Sequence, residues 1–436
     1  MHAKRRQKLL GKLGDGLLIL PTAPHTLRNG DVHYSFRPGS DLHYLTGFSE
    51  PDTVLVAWRT GSNSHHSILF VPARDKAREI WDGPRAGVQG AVRKFGVDEA
   101  FGIEDLWVKL PTLLASHQTV FHTLMADRSF DDRLLATFQK VALQGRRRNA
   151  PAHPRMEDPR PSIAELRQIK DAQEIAALEE AARISLDGHH QAMAVAAPGM
   201  MEYEVQAVLE SVFRQSGSVR NGYDSIVASG ANACVLHYVK NDRRLRKGEL
   251  LLIDAGAEVG QYTADITRTF PVSGKFSEPQ KAIYKAVLAA EKAGIRSVKP
   301  GARWDAPHKT CIRVLTRELV KLGLLRGRLP KLVAEGACRK WFMHGTSHWL
   351  GMDVHDVGTY EDADGKPTRF RSGMVLTVEP GLYFAKGDRS VPAEFRGIGV
   401  RIEDDVLVTR SGNRVLTQAV AKEVKDVEAL CSGASD

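Results

Sequence analysis

Apolar residues occur in two kinds of run along the chain, and each kind predicts a different element. Short, nearly continuous runs such as DTVLVAW (52–58), SILFVPA (67–73) and LLLI (250–253) predict buried strands. From Asp171 onward, DAQEIAALEEAARISLDGHHQAMAVA instead carries apolar residues at helical spacing and predicts a long helix. Strands and helices mix over the whole length, so the sequence predicts an α/β (α+β) protein.

A break in these patterns predicts two domains. The stretch GRRRNAPAHPRMEDPRPS is rich in proline and arginine and lacks periodicity, which indicates a linker over about residues 145–161. Ser162 followed by Glu165 predicts a capping box that starts the next helix. A chain of 436 residues also exceeds the usual size of one core. We therefore expect a smaller α/β domain over 1–161 and a larger domain over 162–436.

Two aspartates stand where the pattern predicts buried strands. Asp254 follows LLLI directly, and Asp265 lies in a second apolar stretch. A turn near Gly260 would fold the segment into a hairpin. If Val259 and Gly260 form the loop, the two carboxylates face each other directly; if Gly260 and Gln261 form it, they are diagonal neighbours on one face. Either arrangement brings like charges together in apolar surroundings, which requires a shared proton or a bound cation.

The acid-bearing hairpin occurs twice. GELLLIDAG (248–256) resembles GMVLTVEPG (373–381), and DITRTFPVSG (265–274) resembles EDDVLVTRSG (403–412), in the same order. Two ordered matches predict an internal duplication with a pseudo-twofold repeat. The acids of the two copies are Asp254, Asp265, Glu379 and Glu403. A shared proton can serve two carboxylates, but four carboxylates need more positive charge, and two divalent ions would balance them.

Histidines supply the nitrogen ligands that such a site would use. FMHGTSHWLGMDVHDVG (342–358) contains His344, His348 and His355, and its small polar residues favour a loop or strand over a helix. One such histidine would more often be structural, but three beside four placed acids favour a metal site. His237 is a further candidate for which a structural role is equally open. An oxygen-rich site with imidazoles and no thiolate suits Mn, Co or Zn.

Two other features have separate interpretations. Arg401 lies two residues before Glu403, so on a strand it shares that face and can hold a metal-ligand carboxylate by charge-assisted hydrogen bonds. An ordinary exposed strand arginine is the alternative. The pair His189 and His190 has helical neighbours and is expected at the surface.

Composition argues against several other classes. The net charge of +9 comes from dispersed basic residues without a nucleic-acid-binding motif, so no nucleic-acid partner is expected. No apolar run approaches the ~20 residues of a membrane span, and the basic N-terminus lacks the cleavage site of a signal peptide. The four cysteines are scattered without a CxxC pair, which is typical of reduced thiols in a cytoplasmic protein.

Taken together, the motifs resemble a known family. IDAG, DITRTF, HGTSHWLGMDVHDVG, VEPGLY and GVRIEDD, in this order, are similar to motifs of the pita-bread metallopeptidases, which include methionine aminopeptidase, prolidase and aminopeptidase P. FRPGSDLHYLTGFSEPDTVLV (36–56) is similar to the N-terminal domain of the bacterial aminopeptidase P branch. The resemblance covers nearly the whole chain and implies a C-terminal pita-bread fold with a pseudo-twofold repeat.

The resemblance also implies two divalent ions, with Mn²⁺ expected first and Co²⁺ or Zn²⁺ as alternatives. Their ligands would be Asp254, Asp265, His348, Glu379 and Glu403. Asp254 would chelate one ion, while His348 and Glu379 would bind the other. Asp265 and Glu403 would bridge both ions.

Further residues of the implied site would act on the substrate. Glu379 would also transfer a proton, and His355 would stabilise the oxyanion of the tetrahedral intermediate. His237 and His344 would position the peptide. Arg401 would hold a ligand carboxylate in place.

These roles predict an aminopeptidase that removes the first residue from peptides with proline at position two. The alternatives are a prolidase that cleaves Xaa-Pro dipeptides, a non-catalytic pita-bread domain used as a binding module, and a metal-free hydrolase resembling creatinase. Retention of all five ligands argues against the last two. The resemblance further implies a homodimer or homotetramer in which Asp41 or Trp81 reaches a neighbouring active site.

Overall fold

The described residues form two compact units. The structure, a computed structural model, describes residues 1–145 and 155–432. The units are Met1–Arg167 and Gln168–Asp436, so the division lies a few residues after the expected boundary, and the domain limits stay a prediction. Both units mix helices and strands, which confirms the predicted fold class. Within the described ranges, no helix combines the length and apolar character needed to cross a membrane.

Over its described residues, the N-terminal unit has one six-stranded mixed sheet and one separate two-stranded sheet. Its strands are β1 Leu17–Pro21, β2 Leu27–Asn29, β3 Val32–His33, β4 Val54–Arg59, β5 His65–Val71, β6 Glu99–Gly102, β7 Thr119–Phe121 and β8 Arg155–Glu157. Its helices are α1 His2–Leu13, α2 Ser40–Thr46, α3 Lys76–Asp82, α4 Gly87–Phe95, α5 Leu106–Ala115, α6 Arg128–Gly145 and α7 Arg160–Gln168, the last crossing into the next unit. The sheet order is β6-β5-β4-β1-β7-β8, and the apolar runs 52–58 and 67–73 form β4 and β5 as predicted.

Two expectations about the end of this unit are wrong. Part of the predicted linker 145–161 belongs to the sheet, because β8 pairs in parallel with β7; residues 146–154 lie outside the described ranges. The predicted capping box at Ser162 is wrong because α7 already begins at Arg160. The carboxylate of Asp158 accepts a hydrogen bond from the Arg160 N–H at 3.0 Å, so an earlier capping residue starts the helix.

Over its described residues, the C-terminal unit has two three-stranded sheets and two two-stranded sheets, with helices packed around them. Its strands are β9 Ile226–Ser229, β10 Leu250–Asp254, β11 Glu258–Val259, β12 Tyr262–Thr263, β13 Thr267–Pro271, β14 Val375–Val378, β15 Gly381–Phe384, β16 Ile398–Arg401, β17 Asp404–Val408 and β18 Asn413–Val415. Its further helices are α8 Ala172–Val195, α9 Glu202–Gln215, α10 Glu278–Ser297, α11 Ala306–Lys321, α12 Leu329–Ala334 and α13 Val424–Cys431. The predicted long helix is α8, which Asp171 caps through the N–H groups of Gln173 and Glu174.

The repeated sequence corresponds to a repeated strand pair. β10 pairs with β13 and β14 pairs with β17, each antiparallel, within sheets of order β13-β10-β9 and β14-β17-β18. Asp254 ends β10, and Glu379 directly follows β14. The two copies therefore present their acids at corresponding strand ends, as a pseudo-twofold repeat requires.

The first hairpin selects one of the two predicted registers. Val259 pairs with Tyr262, so Gly260 and Gln261 form the loop, with φ angles of 56° and 68°. Positive φ at both central residues is the requirement of a type I′ turn, whose twist matches that of paired strands. Asp254 consequently lies opposite Thr267. The two aspartates are diagonal neighbours on one face, and the directly opposed alternative is wrong.

His189 is buried, contrary to the expected surface position. It lies on the side of α8 that faces β10, and its Nε2 is 2.9 Å from the carbonyl O of Ala255. The side chain is 0% exposed, and burial lowers the pKa of His189 to about 4. Periodicity alone placed this histidine wrongly because a strand edge, which is remote in sequence, offers it a hydrogen-bond acceptor.

This burial predicts a loss of stability in acid. Because the unfolded chain binds a proton to His189 near pH 6.5 and the folded chain only near pH 4, stability is complete above pH 6.5 and declines as pH falls toward 4. Between pH 7 and pH 5, the free energy of unfolding should fall by ~2 kcal/mol more in wild type than in His189→Gln. Glutamine keeps a donor for the carbonyl O of Ala255 but does not titrate. Urea unfolding at both pH values measures this difference, and parallel losses would contradict it.

Candidate metal centre

Carboxylates from both hairpins converge on one cavity of the C-terminal unit. Asp254 ends β10 and Asp265 precedes β13; Glu379 follows β14 and Glu403 precedes β17. The cavity has a volume of about 480 Å³. It is lined by these four acids and also by His237, His344, His348, His355 and Arg401. All nine residues selected from the sequence are therefore brought together, although their separate roles stay predictions.

Three of these residues form the closest group of donor atoms. Asp265, His348 and Glu403 each offer one ligand atom, and these atoms lie within 4.8 Å of one another. His348 Nε2 is 3.2 Å from Asp265 Oδ2 and 3.5 Å from Glu379 Oε1. His348 Nδ1 lies 3.1 Å from the carbonyl O of Trp349, which indicates that Nδ1 carries a proton. Nε2 therefore faces the carboxylates.

The electrostatics show how strongly this site favours positive charge. Burial, and then the charges of the neighbouring acids, raise the pKa of Glu403 well above its usual range. Burial likewise raises the pKa values of Asp265 and Glu379. Burial alone would lower the pKa of His348, but its hydrogen bond to Asp265 and the nearby negative charges outweigh burial and raise the pKa to about 9. Without a cation, the site takes up protons.

Tyr223 joins the two aspartates of the first hairpin. Its hydroxyl oxygen is 2.7 Å from Asp254 Oδ1 and 2.6 Å from Asp265 Oδ1. A phenol has one proton, so it can donate to only one carboxylate at a time. Burial and the two aspartates raise the pKa of Tyr223 well above its usual value, so the hydroxyl stays protonated. The second contact therefore needs a proton or a cation nearby.

Arg401 holds the other side of Asp254, as the strand pattern predicts. Its Nη2 donates to Asp254 Oδ2 at 2.6 Å, and its Nε donates to Thr267 Oγ1 at 3.0 Å. Thr267 Oγ1 in turn donates to Glu403 Oε2 at 2.6 Å. One guanidinium, 4% exposed, thereby orients carboxylates from both hairpins. The alternative of an ordinary exposed arginine is wrong.

A chain of hydrogen bonds links Arg401 to His344 through Tyr383. Arg401 Nη1 donates to the hydroxyl of Tyr383 at 3.2 Å, and this hydroxyl lies 2.8 Å from His344 Nε2. His344 Nδ1 is 2.6 Å from the carbonyl O of Gly345, which fixes the proton on Nδ1 and lets Nε2 accept from Tyr383. Burial and the charge of Arg401 lower the pKa of His344 to about 4, so the imidazole is neutral at pH 7.

His237 and His355 differ from His344 and His348 in their exposure. Both are exposed within the cavity wall, where His237 follows the short 3₁₀ segment Gly230–Cys234. The ring centroids of His355 and His348 lie 4.5 Å apart in an edge-to-face arrangement. These two exposed histidines are placed where a bound molecule would meet them.

Sequence reasoning missed three residues of this network: Tyr223, Thr267 and Tyr383. Thr267 had a usable signal, because it lies two residues after Asp265 and so shares its side of the strand. Tyr383 lies in the VEPGLY motif but carries no periodic signal of its own. Tyr223 lies in a loop far from the acids in sequence, so only the tertiary fold brings it to them.

Comparison with known families assigns the class of this site. The model of metallopeptidase family M24 matches residues 176–410, and the model of the aminopeptidase P N-terminal domain matches residues 2–121. The chain belongs to metallopeptidase family M24. The M24 assignment confirms the predicted metallopeptidase resemblance and makes this protein a hydrolase with a C-terminal pita-bread domain.

M24 relatives match over nearly the whole length of the chain. The Xaa-Pro aminopeptidase of Escherichia coli is 41% identical over 428 residues, covering 98% of this chain and 96% of the relative. The solved structure of Pseudomonas aeruginosa aminopeptidase PepP has a TM-score of 0.96 at 43% identity, covering 100% of this chain and 98% of that one. Proline aminopeptidase P II from Yersinia pestis has a TM-score of 0.95 at 42% identity, covering 99% and 98%.

The M24 family implies divalent metal ions, and the donor set of this chain fits them. Carboxylate oxygens and one imidazole nitrogen suit Mn, Co and Zn, whereas thiolate is absent from the lining of the described cavity. The raised pKa values of the buried acids are the expected mark of a site whose ligands repel one another until a cation binds.

The contacts of Arg401 predict its effect on metal affinity. Arg401→Met removes the guanidinium that orients Asp254, and metal affinity should fall ~10–100-fold, as for other residues that orient metal ligands. Titration calorimetry with Mn²⁺ measures the change. Arg414→Met is the matched control, because Arg414 is an exposed arginine on β18 and should bind Mn²⁺ as wild type does. Equal affinities for all three proteins would contradict the role of Arg401.

Proposed function

We propose that this protein is a dinuclear-metal aminopeptidase that releases the first residue of peptides whose second residue is proline. The observation that carries the proposal is one cavity lined by all nine predicted residues, in a chain whose full-length relatives are named Xaa-Pro aminopeptidases. The matched aminopeptidase P N-terminal domain favours this function over a prolidase. The retained acids and His348 argue against a binding module.

We propose that two Mn²⁺ ions bind in the cavity. Asp254 would hold one ion, His348 and Glu379 the other, and Asp265 and Glu403 both. Two divalent ions supply four positive charges, which matches the four carboxylates. When bound, such ions supply Lewis-acid chemistry: they lower the pKa of water and stabilise negative charge on a reacting carbonyl oxygen.

The protein's own residues have separate parts in the proposed reaction. Glu379, whose carboxylate lines the cavity beside His348, moves a proton during the reaction. His355, exposed beside His348, donates to the developing oxyanion. His237 and the neutral imidazole of His344 orient the peptide, and Arg401 keeps Asp254 in place.

The cavity wall also suits a proline side chain. Its apolar lining residues include Ile226, Leu236, Val239 and Val354. A bond to proline is a tertiary amide without an N–H, so binding must rely on shape and on the carbonyl rather than on an amide donor. These features support a peptide substrate with proline after the cleaved bond.

We further propose a cytoplasmic homodimer or homotetramer that needs no nucleic acid or membrane partner. The four cysteines are free thiols, which suits a reducing compartment. Trp81 is 87% exposed on α3, a helix with no buried side chain, and is available to a neighbouring subunit. Asp41 instead accepts from Arg167 Nη1 at 2.7 Å within its own unit, so Trp81 is the better candidate for that contact.

Removal of metal should abolish the activity. Exhaustive chelation should leave no measurable cleavage, and added Mn²⁺ should restore it, with elemental analysis approaching two ions per chain. The physical reason is the repulsion among buried carboxylates, which only a multivalent cation relieves without protonating the ligands. Full activity after chelation would contradict the proposal. A metal content that stays at one ion per chain would contradict the binding of two ions.

Substrate length should separate aminopeptidase from prolidase. A dipeptidase must bind the proline carboxylate, whereas an aminopeptidase needs an open cavity beyond proline. An Xaa-Pro-Xaa tripeptide should therefore be cleaved at least as well as the matching Xaa-Pro dipeptide, compared by kcat/KM. Replacing proline by alanine should make cleavage negligible. A clear preference for the dipeptide, with inert tripeptides, would favour prolidase instead.

A further inference from the structure

A buried ion pair lies directly behind His355. Lys170 Nζ is 2.9 Å from Asp356 Oδ2, and both side chains are 1% exposed. Lys170 belongs to the short segment between α7 and α8, and Asp356 follows His355 in its loop. His355 is exposed in the cavity, whereas its neighbour is buried against the lysine. Adjacent residues of one loop are thus held in opposite environments.

Both partners are fixed to the body of the C-terminal unit. The backbone N–H of Lys170 donates to the carbonyl O of Gly373 at 2.9 Å, just before β14. The N–H of Asp356 donates to the carbonyl O of Trp349 at 2.9 Å, and Trp349 is 0% exposed. The ion pair therefore ties the loop of His355 to two well-packed parts of the same unit.

Close packing leaves this loop little freedom to adopt another arrangement. A Cβ atom on Gly351 would lie 2.1 Å from Asp356 Oδ2 and 3.0 Å from Lys170 Cε. Gln168, 1% exposed, donates from Nε2 to the carbonyl O of Thr359 at 3.5 Å. The segment 168–170 thus contacts the loop at two points shortly after His355.

Stability alone gives little reason for this ion pair. Withdrawing two charges from water is costly, and apolar residues of similar volume are often as stable or more stable in the same place. A charged hydrogen bond, however, has a defined length and direction that an apolar contact lacks. We propose that Lys170 and Asp356 are positioning residues that hold His355 where it contacts the substrate oxyanion. This inference rests on the proposed function, which assigns that contact to His355.

A double-mutant cycle with His355 tests the proposal. Lys170→Met keeps the apolar stem and removes the charge. In the wild-type background, kcat for an Xaa-Pro-Xaa tripeptide should fall ~10–100-fold with KM changed by less than about threefold, because a displacement of ~1 Å at a reacting group costs about that much. In the His355→Ala background, Lys170→Met should have almost no further effect. Additive losses would overturn the proposal, since independent residues add.

Two controls distinguish positioning from general destabilisation. Lys170→Met/Asp356→Asn also removes the buried negative charge that Lys170 balances in wild type, so Tm should recover while kcat stays low. Leu319→Ala, a core substitution in α11, should lower Tm and leave kcat at 25 °C unchanged. Recovery of kcat together with Tm would show that the pair is only structural and would overturn the proposal.

Hydrogen exchange tests the anchoring without any catalytic measurement. Backbone amides over residues 349–359 should exchange at least ~10-fold faster in Lys170→Met than in wild type or Leu319→Ala. Unchanged exchange would overturn the proposal. If the wild-type protein cleaved no Xaa-Pro peptide, the proposed function would fail, and the exchange experiment would still decide whether the ion pair anchors the loop.

Discussion

The mutual repulsion of four carboxylates in one cavity is the constraint on which the catalytic unit depends. Asp254, Asp265 and Glu403 are each less than a tenth exposed, and burial raises the pKa values of the latter two. Because burial removes water from around these carboxylates, the protein must supply positive charge or protons to stabilise them. Arg401 and the phenolic proton of Tyr223 supply part of it. The divalent ions implied by the M24 family supply the rest.

The duplicated hairpin explains how one chain brings so many acids together. Each copy places its acids at strand ends, so the two copies together bring two sets of ligands to one cavity. Hydrogen bonds then cross between the copies: Arg401 of the second reaches Asp254 and Thr267 of the first, and Thr267 reaches Glu403. These contacts orient the ligands, which lowers the cost of assembling the site.

Two errors of the sequence-based predictions have a common physical cause. The surface position of His189 and the linker assignment of residues 155–157 rest on local pattern alone, and a partner that is remote in sequence overrides each. The carbonyl O of Ala255 lies within hydrogen-bond distance of His189, and β8 pairs with β7. The capping box at Ser162 fails for a local reason, because Asp158 already accepts from the Arg160 N–H. Local propensity is a weak guide wherever a tertiary partner competes with it.

The sequence by itself determined the mixed fold class, the repeat, the acids and histidines of the site, and membership of the metallopeptidases. These features depend on apolar periodicity and on the order of polar residues, both of which can be read directly from the sequence. Only the tertiary structure decided the diagonal placement of Asp254 and Asp265, because the two possible registers differ by a shift of the loop by a single residue. It alone also brought Tyr223 to the acids and buried Lys170 against Asp356. Such contacts join residues that are remote in sequence, and no local pattern records them.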